Sequence, residues 1–90
     1  MNQRTVSAYV LRSLAQAQTE GRSSTLQTLI DELHIRRADV RGAVSALHRG
    51  GYLDVMRMRL TLQGFAVGRA LLEKELPELR PAKVAEAAAA

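Results

Sequence analysis

The sequence predicts a mainly α-helical domain that carries one small β-hairpin, in the order helix, helix, helix, hairpin, helix. Three observations predict it. Apolar residues recur at three- and four-residue spacing in three successive blocks up to Leu47, a glycine pair at Gly50 and Gly51 ends the third block, and the period then drops to two before a helical spacing returns at Leu62. With 47% hydrophobic and 24% charged residues the balance is that of a folded domain, and 90 residues leave room for one core only.

The first helix is expected from Thr5 to Ala17, with Val6, Tyr9, Val10, Leu14 and Ala17 as its apolar stripe and Arg12, Ser13 and Gln16 between them. Gly21 and its polar neighbours break it. Ser23, Ser24 and Thr25 offer hydroxyl caps to a short second helix built on Leu26, Leu29, Ile30 and Leu33. His34 to Arg37 continues no apolar phase and reads as a tight turn. From Ala38 a third helix places Val40, Val44 and Leu47 on one stripe and Arg37, Arg41, Ser45 and His48 on the opposite face.

After the glycines, Tyr52 to Val55, and then Met58, Leu60 and Leu62 alternating with Arg57, Arg59 and Thr61, read as two short antiparallel strands with a tip near Met56 and Arg57. Arg57 and Arg59, two apart, are expected on one face of the second strand. Thr61 is placed to cap a fourth helix running to about Glu75, where Pro77 stops it. The domain is thus expected to span residues 1–80. Residues 81–90, dominated by alanine, read as a frayed or disordered tail with little to bury.

Charge is distributed unevenly. The net charge is +4, and of 13 basic residues only Lys74 and Lys83 are not arginine. Between Arg36 and Arg69, seven arginines (36, 37, 41, 49, 57, 59 and 69) face only Asp39 and Asp54, whereas the segments on either side are close to neutral. Arginine's planar fork of donors suits phosphates and guanine edges, so the middle third has the composition of an anion-binding surface.

Other functions find little support in the residues. With no cysteine there is neither a disulfide nor a thiolate metal site, and Asp31 with His34 offers too few ligands, so no metal or other cofactor is expected. No Ser-His-Asp set, phosphate-cradling glycine loop or carboxylate pair can be assembled, so the chain is not expected to be an enzyme. No apolar run nears the ~18–20 residues of a membrane span, and Arg4 and Arg12 interrupt the N-terminus, which points to a cytoplasmic protein that does not engage membranes.

Two segments carry a family resemblance. Leu47-His48-Arg49-Gly50-Gly51-Tyr52-Leu53, leaving the third helix, and Leu60-Thr61-Leu62-Gln63-Gly64, entering the fourth, resemble the corresponding stretches of bacterial winged helix-turn-helix regulators, especially the MarR- and PadR-like groups. The resemblance covers about Ser7 to Leu72. It implies a winged helix-turn-helix fold and a DNA-binding transcriptional regulator, such as a repressor, whose third helix enters the major groove while the hairpin lies on the flanking backbone. On that reading Arg37 and Arg41 are candidates for base edges, with Ser45 a weaker one. Arg36, Arg57 and Arg59 are expected on phosphates, and Ser24 and Thr25 at the start of the second helix are further phosphate candidates.

The fourth helix shows more apolar surface than one stripe requires. Leu62, Phe65, Ala66, Leu72 and Leu76 fall on one side, and Val67, Ala70 and Leu71 spread beyond it, so Val67, Ala70, Leu71, Leu72 and Leu76 are expected to form a homodimer interface suited to a two-fold operator. Two alternatives share the fold: a protein-binding module, such as an antirepressor or adaptor, and a plasmid or phage partition or replication-control protein. Three aromatic residues are too few for an RNA-stacking platform.

Overall fold

A computed structural model of the chain describes residues 2–76, so the expected boundary at residue 80 and the tail over 81–90 lie outside the described residues. Four helices and one two-stranded antiparallel sheet follow in the order α1 (Gln3–Thr19), α2 (Leu26–Leu33), α3 (Arg37–Arg49), β1 (Leu53–Asp54), β2 (Arg59–Leu60) and α4 (Leu62–Leu71). The mainly helical class with a hairpin between the third and fourth helices is as expected. Among the described residues no helix is long and apolar enough to cross a membrane.

α1 is the central element. It packs most extensively on α4 and α3 and also touches α2 and β2. A helix pressed from two sides needs two apolar stripes, and α1 has them: Leu11 and Ala15 are buried along with the expected Val6, Val10, Leu14 and Ala17. Tyr9, assigned to the core stripe from its spacing, is only half-buried. Around α1 the core is completed by Leu29 of α2, by Val40, Ala43, Val44 and Leu47 of α3, and by Leu53 and Leu60 of the hairpin. Ile35 belongs to it too. The α2–α3 turn therefore contributes a core side chain although no helical phase marks it.

The helix ends follow from local chemistry. The Thr25 hydroxyl accepts from the Thr28 N–H at 3.1 Å while the Thr28 hydroxyl accepts from the Thr25 N–H at 2.8 Å, a reciprocal cap of α2. α3 ends where Gly51 takes φ +82° and lets the Tyr52 N–H reach back to the Leu47 carbonyl at 2.9 Å. Thr61 caps α4, accepting from the Gly64 N–H at 3.1 Å, and its own hydroxyl donates to the Gly51 carbonyl at 2.7 Å. That one side chain fastens the base of the hairpin to α4.

Two expectations require correction. The strands are only two residues each, paired Leu53 with Leu60 and Asp54 with Arg59. Asp54 turns its carboxylate onto the N–H groups of Met56 and Arg57, at 3.0 and 3.4 Å, and Met58 adopts φ +51°, so the chain leaves the sheet at Asp54. Arg57 consequently sits in the connecting turn, not on a strand beside Arg59. α4 ends at Leu71, short of Glu75. Beyond it the chain tightens into i to i−3 bonds, Glu73 N–H to the Ala70 carbonyl and Lys74 N–H to the Leu71 carbonyl, because Glu73, Lys74 and Glu75 are exposed and bring no packing to prolong the helix.

Candidate nucleic-acid interface

α3 turns Val40, Ala43, Val44 and Leu47 into the core, and this orientation decides which side chains face outward. Arg37, Arg41 and Ser45 are exposed in one strip at four-residue spacing. Arg36, just before the helix, pairs with Asp39 at 3.3 Å while remaining 83% exposed. Such a pair holds an exposed guanidinium only weakly. Arg41 has neither an ion pair nor a hydrogen bond among the described residues.

Arg37 is positioned from another helix. Its guanidinium donates to the Gln27 side-chain carbonyl on α2, and the Gln27 amide in turn donates to Asp31 at 2.9 Å. Residue spacing gives Gln27 no such role. Ten residues separate it from Arg37, and only the packing of α2 on α3 brings the two together. His48, expected on the same strip, is engaged elsewhere. Its Nδ1 lies 3.0 Å from the Leu53 carbonyl, which can only accept, so Nδ1 carries the hydrogen and the ring ties the last turn of α3 to β1.

A second group of candidates meets at a small cleft between the α1–α2 loop and the hairpin. Arg22, Ser23 and Ser24 line it from the loop, and Arg57 and Arg59 from the hairpin. The hairpin is fixed there by Gln18, whose side-chain oxygen accepts from the Leu60 N–H at 2.6 Å, occupying a strand-edge donor that would otherwise face no partner strand. Arg22 pairs with Glu20 at 2.7 Å and Arg57 with Asp54 at 3.9 Å, both solvent-exposed. The Gln16 amide, and after it Arg22, hold the Glu20 carboxyl below its ordinary pKa. Thr25 stands apart from this group, because its hydroxyl oxygen is taken up in capping α2.

The expected dimer residues divide. α4 approaches α1 and the hairpin through its glycines: a Cβ on Gly64 would lie 1.9 Å from the Tyr52 carbonyl oxygen, and one on Gly68 would lie 2.6 Å from the Leu11 carbonyl oxygen. With the glycines inward, Leu71 is half-buried against the chain's own core and Leu72 borders a groove beside Tyr9 and Leu33. Leu62 is 88% exposed and Val67 39%. Val67 and Ala70 thus face outward with Leu62 and Ala66. Leu76 is half-buried, its carbonyl 3.4 Å from the Tyr9 hydroxyl.

Compared with known proteins, the chain matches no family model, no curated protein and no solved structure.

Proposed function

We propose that the chain is a winged helix-turn-helix domain acting as a small transcriptional regulator that binds duplex DNA as a homodimer, with α3 in the major groove and the β1–β2 hairpin as the wing on the flanking backbone. The observation that carries this reading is the exposed strip of α3, where Arg37, Arg41 and Ser45 lie in line and Arg41 has no competing carboxylate among the described residues. Arginine reaches O6 and N7 of guanine with two parallel bonds, and a helix presenting such a strip fits the major groove. Arg37, held by Gln27, is pre-positioned, which lowers the ordering cost of a specific contact. Arg36 and the hairpin arginines serve phosphates, which set affinity and register but not sequence.

The outward apolar side of α4, with Leu62, Ala66, Val67 and Ala70, supports association with a second copy. The same surface favours a second reading, a winged-helix module whose partner is a protein. A salt-series titration separates the two: the chain is titrated against a duplex containing its own promoter and against a random duplex of equal length. Tighter promoter binding at physiological salt is expected. Absence of binding to either duplex, even at low salt, overturns the DNA reading and leaves the protein module.

A further inference from the structure

Resting on the DNA-binding reading, we infer that the cleft between the α1–α2 loop and the hairpin is a built site for a single phosphate group, filled in the complex by one backbone phosphate of duplex DNA that both segments grip together. The cleft has a volume of about 60 Å³. A water needs roughly 10–15 Å³ and small-molecule pockets begin at about 300 Å³, so this space has the size for one small group such as a tetrahedral oxyanion.

Its lining has the chemistry such a group requires. Arg22, Arg57 and Arg59 line it beside the hydroxyl residues Ser23 and Ser24, and no carboxylate is part of the wall. Three arginines among the lining residues concentrate positive charge at the cleft, and the forked donors of arginine match phosphate oxygens. Two of the three are paired with carboxylates that lie outside the cleft wall, Arg22 with Glu20 and Arg57 with Asp54, while Arg59 has no such partner among the described residues. Because these pairs are exposed, a phosphate can compete for the donors at little expense in stability.

The two walls are also held at a fixed separation. Gln18 of α1 fastens Leu60 of β2, and the Arg22 N–H bonds back to the Ala17 carbonyl at 2.8 Å, so both sides of the cleft are anchored to the same turn of α1. The sequence places Arg22 and Arg59 far apart and in different charge regions, so their joint site follows from the fold alone.

The test uses the full chain and two probes. In the first, inorganic phosphate is titrated against the ¹⁵N-labelled protein at constant ionic strength, with chloride as the control. Phosphate is expected to shift the amides of Ser23, Ser24 and Arg59, and chloride is not. In the second, the dependence of log K on log salt is measured with duplex DNA in an Arg57→Gln background, where Arg22 and Arg59 are the remaining arginines of the wall, for that background, its Arg22→Gln and Arg59→Gln variants and the variant carrying both, each checked for folding by its thermal melt.

Since one phosphate is shared, the variant carrying both is expected to lower the slope by about 0.9 in total, whereas two separately contacted phosphates lose about 1.8. A loss near 1.8, roughly two phosphates' worth, or an unchanged slope when the Arg57→Gln background binds DNA, overturns the shared site while leaving the DNA reading intact. Phosphate shifts without any DNA binding overturn DNA as the source and the reading with it, and show that the cleft takes a free phosphate. Absence of both overturns the site altogether.

Discussion

α3 and α4 solve opposite packing problems. α3 buries branched aliphatic side chains, Val40, Val44 and Leu47, and leaves arginines outside. α4 buries Gly64 and Gly68 and leaves Leu62 and Val67 outside. For α3 the hydrophobic pattern identifies the packed face. For α4 it does so only in part, because close backbone approach at Gly64 and Gly68 sets the buried side and leaves Leu62 and Val67 outside. The helix reaches within van der Waals range of the Tyr52 and Leu11 carbonyls only where no Cβ intervenes; Phe65 and Leu71 pack on the core beside this contact, while Leu62 and Val67 are turned to solvent. The outward face of each helix is then the face available to a partner: charged on α3, apolar on α4.

The largest effect is expected from breaking the α4 contact. Gly64→Ala forces a methyl group into the Tyr52 carbonyl, and since backbone rather than a flexible side chain must yield, the loss belongs at or above the upper end of the roughly 1–3 kcal/mol typical of overpacking. At about 4–8 °C per kcal/mol for a domain of this size, the melting temperature should fall by about 10 °C or more. Ala66→Gly, on the outward side of the same helix, gives a calibrating contrast, because it changes only helix propensity, by about 1 kcal/mol.

On α3 the comparison predicts the reverse: function is lost and stability is kept. Arg41→Ala should weaken promoter binding by about 1–3 kcal/mol and reduce preference over random DNA, with the melt unchanged within about 0.5 kcal/mol. A variant that loses stability instead would show that Arg41 supports the fold. Gln27→Ala should act in the same direction as Arg37→Ala but more weakly, since it frees the Arg37 guanidinium without removing it.

The Gln18 contact is expected to matter by about 1 kcal/mol. Gln18→Ala leaves the part-buried Leu60 N–H without its acceptor, and faster amide exchange at Leu60 is the specific readout. A small effect on stability is also expected on the outward side of α4, tested by Leu62→Glu combined with Val67→Glu. The melt should hold within about 0.5 kcal/mol per substitution while a dimer, measured by sedimentation, dissociates.

Much of this fold was legible locally. The stripe Val40, Val44 and Leu47, the cap at Thr61, a hydroxyl cap among Ser23, Ser24 and Thr25, and the stop at Gly50 and Gly51 are short-range devices whose partners lie within a few residues, so spacing alone reveals them. The exposed strip of arginines on α3 follows from the same period. What escaped were features whose partners are distant in sequence. Leu11 and Ala15 are buried because α1 lies between two helices, and Ile35 because its turn folds back on the core. Gln27 reaches Arg37, and Gln18 reaches Leu60, across gaps that no local pattern spans.

The helical class, the order of the elements, the concentration of arginine in the middle third and the face of α3 that carries it all follow from the order of residues, because helical period and turn chemistry act over a few positions. Tertiary packing had to settle which side of α4 is buried, which arginines share a cleft, and that His48 serves the hairpin instead of the exposed strip. Those outcomes depend on how closely backbones approach and on which side chains meet across the chain, and neither is written in the spacing of residues.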